Sequence, residues 1–106
     1  MSGKFGLTER TLSRLTALFQ AYPEIEQVII YGSRAKGTHR AGSDIDLTLV
    51  GEQISPETLN RLFGELQDSD IPYLVDLSIY SQLTHSDLLK HIQQVGQVLY
   101  QKQVKK

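Results

Sequence analysis

The stretch Gln27-Val28-Ile29-Ile30-Tyr31 restricts the fold more than any other part of this chain. It is β-branched at successive positions, too short for a helix, and apolar on both faces. A run of that kind reads as a strand buried between layers. It ends abruptly in Gly32-Ser33, followed by a Gly- and cation-rich stretch to Gly42.

The flanking segments supply the layers. Thr8 reads as an N-cap, and Leu12, Leu15, Leu18, Phe19 and Tyr22 recur at helical spacing until Pro23 stops the helix. Asp44 to Val50 alternates as a second strand, with Ile45, Leu47 and Leu49 on one face and Asp44, Asp46 and Thr48 on the other. Ser55-Pro56-Glu57 starts a helix with Ser as cap and Pro in the first turn, and Leu59, Leu62, Phe63 and Leu66 form its buried stripe. A third strand is expected over Tyr73 to Tyr80. Thr84 with Asp87 then resembles a capping box before a last helix carrying Leu88, Leu89, Ile92, Val95 and Leu99, weakened at Gly96. The expected fold is α/β (α+β), with a small mixed sheet packed by helices in a single domain over residues 1–106.

The chain's 106 residues make one domain with a thin core. A net charge of −1 provides no global basic field for a long nucleic acid, and no direct sequence-specific nucleic-acid binding is expected. The absence of cysteine excludes disulfides, thiolate catalysis and Cys-based zinc sites. No apolar run approaches the ~20 residues of a membrane span, and the start MSGKFGLTER lacks a signal peptide's hydrophobic stretch. A cytoplasmic protein without membrane contact is expected. His39, His85 and His91 lack metal-pair spacing and read as surface or structural groups, Tyr31 as packing under the site, and Lys102 to Lys106 as a solvated basic end.

Three carboxylates stand where strands normally avoid them. Asp44 and Asp46 are two apart and share a face, and Asp76 joins them if the second and third strands are neighbours. Like charges held together raise pKa values or recruit a cation, and oxygen-rich clusters suit magnesium or manganese with phosphates completing the shell. The Gly32-Ser33 turn can bring backbone N–H groups and a hydroxyl to an anion, helped by any helix that starts there. Arg34 and Lys36 concentrate positive charge beside it. A phosphate cradle next to a carboxylate cluster is what metal-dependent phosphoryl or nucleotidyl transfer requires.

Residues 32–47, GSRAKGTHRAGSDIDL, resemble the signature of the nucleotidyltransferase superfamily related to DNA polymerase beta: Gly-Ser, ten residues, then Asp-x-Asp. The run looks specifically like the minimal nucleotidyltransferases, with Val75-Asp76-Leu77 in the place of the family's third carboxylate. The resemblance implies that Asp44, Asp46 and Asp76 hold two Mg2+ ions (Mn2+ as a substitute), and that Gly32, Ser33 and Arg34 contact the triphosphate of ATP. It implies that Asp76 helps activate the attacking hydroxyl. Stand-alone members pair with a helical HEPN toxin and adenylylate a tyrosine on it, so such a neighbour is the implied partner.

Two alternatives stay open. One is an antitoxin that neutralises its partner by binding alone. The other is a transferase acting on a small molecule such as an antibiotic, for which a homodimer could build the acceptor site.

Overall fold

The computed structural model describes residues 4–40 and 42–103. After a short 3-10 turn the elements run α1 (Glu9–Gln20), β1 (Gln27–Tyr31), α2 (Ser33–Lys36), β2 (Ile45–Val50), α3 (Pro56–Asp68), β3 (Val75–Ile79), a second 3-10 turn, α4 (Ser86–Val95) and β4 (Gln97–Gln101). The strands form one mixed sheet in the order β3-β2-β1-β4. β1 lies antiparallel to β2 and to β4, whereas β2 and β3 run parallel with α3 as the connection between them.

Helix starts follow from side-chain caps. Thr8 accepts the Thr11 N–H at 3.1 Å, and Ser55 accepts the Thr58 N–H at 3.2 Å, with Pro56 in the first turn where its missing N–H costs nothing. The register then sorts the side chains. Val28 faces Leu49, Ile30 faces Leu47, and Leu47 faces Leu77, so one side of the sheet is continuously apolar. Leu15 and Phe19 of α1 and Leu62 and Leu66 of α3 complete that core. The other side carries Ile29, Tyr31, Asp46 and Asp76 at intervening positions, and α4 packs over part of it through Ile92. β1 is thus sandwiched, which is why both of its faces are apolar.

The structure departs from the sequence reading at several points. The last apolar run is not one helix: α4 stops at Val95, and Gln97–Gln101 forms β4 on the edge of β1. The break lies at Gly96, where a β-carbon would collide with the Ile92 carbonyl and Ile29. Leu99 therefore belongs to a strand. The cap of α4 is His85, whose Nδ1 accepts the Leu88 N–H at 3.3 Å, in place of Thr84. Phe63 is 43% exposed and lies outside the α3 stripe. β2 begins at Ile45 and β3 spans only Val75–Ile79. At the end of the chain, Lys102 is tied to the Glu26 and Pro23 carbonyls, while 104–106 lie outside the described residues.

Candidate active site

The site is built where β1 stops. Gly32 sits at φ 77° and ψ −155°, a region essentially reserved for glycine. The glycine is required twice over, because a β-carbon here would run into the carboxylate of Asp46. The chain then makes a single helical turn, Ser33–Lys36, closed by Gly37 at φ 80°. One turn adds little macrodipole. What it offers an anion is the unpaired N–H groups of any helix start and the Ser33 hydroxyl.

The carboxylates are placed by strand register. Asp46 is paired with Tyr31 on one side and with Asp76 on the other, so all three side chains share the face opposite the core. Asp44 lies just before β2 and is exposed, while Asp46 is half-buried and Asp76 exposed on the edge strand. Burial pushes the Asp46 carboxyl above its ordinary range, the charges of Asp76 and Asp44 push it the same way, and His91 opposes them. The Tyr31 hydroxyl is raised as well, first by burial and then by Asp76 and Asp46, with a Ser78 hydrogen bond acting against them.

The donor set is all oxygen and carries mutual repulsion, which fits a hard divalent cation. Among the described residues no three acidic or imidazole groups close on a metal by themselves, so phosphate or water oxygens would complete its shell. Magnesium is ordinarily held in that way.

Arg34 stands apart from this cluster. It is 3% exposed. Its Nε and Nη2 donate to the Ser43 carbonyl at 3.1 and 2.8 Å, and its Nη1 donates to the Phe5 carbonyl at 2.8 Å. The guanidinium also covers the Tyr73 ring, 4.7 Å from its centroid. The motif's arginine therefore pins the residue before Asp44 and the approach to β3, whereas Lys36 is exposed. Sequence position beside Ser33 gave no hint of that burial.

His91, which in sequence reads only as a surface or structural group, packs against the turn. From α4, its Nε2 accepts the Gly32 N–H at 3.1 Å, and its ring meets Tyr31 edge-on with centroids 6.1 Å apart. A lone histidine 59 residues beyond the turn has no local pattern to mark it.

A family model described as polymerase beta, nucleotidyltransferase matches residues 13–105. The chain belongs to the polymerase beta nucleotidyltransferase family. The match spans every strand of the sheet and the whole Gly-Ser to Asp76 arrangement. Among relatives of this nucleotidyltransferase is a protein of Haemophilus influenzae described as a probable protein adenylyltransferase MntA. It is 33% identical over 92 residues, which cover 83% of this chain and 76% of that protein.

Solved structures share the fold. One is a toxin–antitoxin complex with AMP-PNP, with a TM-score of 0.69 at 20% identity over 87% of this chain and 74% of that one. Another is a tri-AMPylated Shewanella oneidensis HEPN toxin in complex with an MNT antitoxin. Its TM-score is 0.65 at 16% identity, over 89% of this chain and 72% of that one. At such identities these structures establish the nucleotidyltransferase architecture alone. No helix among the described residues is long and apolar enough to cross a membrane.

Proposed function

We propose that this nucleotidyltransferase moves AMP from ATP to a tyrosine hydroxyl on a partner protein of the HEPN toxin class, and so acts as an antitoxin in the cytoplasm. The observation that carries the reading is the pairing of Asp46 with Asp76 beside the Gly32-Ser33 turn. In this account acidic groups and an anion-accepting turn stand side by side on the face of the sheet opposite the core.

In this account Asp44, Asp46 and Asp76 hold Mg2+, with room in function for two ions and for Mn2+ as a substitute. Gly32 and Ser33 receive the triphosphate. Bound magnesium would supply neutralisation of the charge that develops on the phosphates. The acceptor oxygen attacks the α-phosphorus, the bond from that phosphorus to the bridging oxygen breaks, and pyrophosphate leaves. In this account Asp76, exposed on the edge strand, takes the acceptor's proton. Positioning and charge stabilisation dominate such transfers.

The choice of a protein acceptor is supported by the name of the Haemophilus relative and by fold neighbours solved as toxin–antitoxin complexes. An exposed edge beside Asp76 also suits an acceptor presented by a second folded chain. Arg34, buried on carbonyls, takes no part in phosphate contact in this account.

The reading is tested with ATP labelled on either the α- or the γ-phosphate, magnesium, and the product of the neighbouring gene. Adenylyl transfer leaves the α label on the partner and the γ label in pyrophosphate. Retention of the γ label on the partner would make the chain a kinase instead, and labelling of neither would leave only binding.

A further inference from the structure

The Gly32 amide is already spoken for in the free protein. It donates to Nε2 of His91, which is half-buried on α4. An acceptor nitrogen carries no hydrogen, so the ring proton sits on Nδ1. Among the described residues no other group accepts the Gly32 N–H, while the Gly32 carbonyl, on the following peptide, accepts the Lys36 N–H at 3.2 Å within the turn. Glycine loses more freedom on ordering than any other residue. A Gly-Ser turn without an anchor would therefore lose that entropy when it closes on a ligand.

We infer that His91 is a positioning residue for the nucleotide: it holds the Tyr31–Gly32 peptide, and through the Gly32 backbone the N–H and hydroxyl of Ser33, in the orientation that the triphosphate requires. The inference rests on the nucleotidyltransferase reading of this site. His91 touches no reacting atom in this role. Its ring is held edge-on to Tyr31, and Tyr31 is registered with Asp46. One histidine thereby ties α4 to both the phosphate side and the carboxylate side of the site. A histidine that merely glued α4 to the sheet would matter for stability and leave nucleotide affinity unchanged.

The discriminating set is His91→Leu, which keeps bulk without an acceptor, and His91→Gln, whose amide oxygen can accept the Gly32 N–H. Affinity for magnesium with AMP-PNP is measured by calorimetry at a temperature where each variant is folded. His91→Leu should bind about tenfold more weakly, the scale of one hydrogen bond and its preorganisation. His91→Gln should recover most of that loss.

A folded His91→Leu with wild-type affinity overturns the inference while leaving the parent reading intact. Wild-type protein that binds no Mg-AMP-PNP overturns both. If His91→Leu does not fold, amide exchange in wild type decides: the Gly32 N–H should be protected without ligand, and exchange like that of an open loop amide removes the contact and the inference together.

Discussion

Gly32 and Asp46 are fitted to each other: the space a β-carbon would need at Gly32 is filled by the Asp46 carboxylate. The glycine of the turn thus leaves room for the carboxylate that the proposed site uses as a metal ligand. Gly32→Ala should lower stability by about 1–3 kcal/mol from its backbone conformation alone. It should also displace Asp46. Urea denaturation and Mg-ATP titration of the same variant should both change. Unchanged stability and affinity would mean that the turn tolerates a side chain and that its geometry is not what shapes the site.

The raised Asp46 carboxyl has a pH consequence with a definite sign. Its folded pKa lies above the ordinary carboxylate value through burial and the charges of Asp76 and Asp44. The native state therefore binds the proton more tightly than the unfolded chain, so stability falls as pH rises from the unfolded value through the folded pKa. Asp46→Asn should flatten that fall and leave metal-free protein at neutral pH as stable as wild type or more so. Denaturation midpoints across the acid range check this, and a variant less stable than wild type at neutral pH would contradict it.

Arg34 gives the opposite pattern from a phosphate ligand. Lysine cannot reproduce the fork that Arg34 places on Ser43 and Phe5. Arg34→Lys should cost roughly 2–3 kcal/mol of stability, on the scale of lost hydrogen bonds to a charged donor. Nucleotide affinity of the folded fraction should stay within a few-fold. A large loss of affinity with an unchanged melting temperature would return Arg34 to the triphosphate.

If the site takes Mg-ATP, the ligand stabilises the native state by ~2.7 kcal/mol at a hundredfold excess over its dissociation constant. Thermal melts with ATP and magnesium, with ATP and chelator, and with neither should separate only in the first case. The Asp44→Asn, Asp46→Asn double variant should abolish the shift. Ser33→Ala should shrink it, since a hydrogen bond to a charged group is worth roughly 1.5–3 kcal/mol.

Much of this arrangement is legible in the residues. The two-faced apolar run of β1 identifies a sandwiched strand, the alternation of Ile45, Leu47 and Leu49 identifies β2, and the caps Thr8 and Ser55 locate α1 and α3. The spacing of Ser33 to Asp44 and Asp46 carries the family. β4 is illegible for a physical reason: Leu99 continues the helical spacing of Ile92 and Val95, so period alone favours a helix, and only Gly96 marks the break. For Arg34, adjacency to Ser33 suggests a triphosphate contact, while the packing that buries it comes from Phe5, Ser43 and Tyr73 and has no local signature. His91 reaches Gly32 only after α4 has folded back over the sheet, and nothing in its neighbourhood of sequence encodes that.

In the proposed reaction the Asp44, Asp46 and Asp76 cluster catalyses adenylyl transfer to a protein acceptor. Intact-mass spectrometry of the neighbouring gene's product tests it most directly, after incubation with ATP, magnesium and either wild type or the Asp44→Asn, Asp46→Asn double variant. Wild type should add mass in steps of one adenylate and silence the partner's toxicity. The double variant should add nothing and leave the partner toxic. Silencing by both proteins with no change of mass in either sample would show occlusion by binding, and would contradict the enzymatic account.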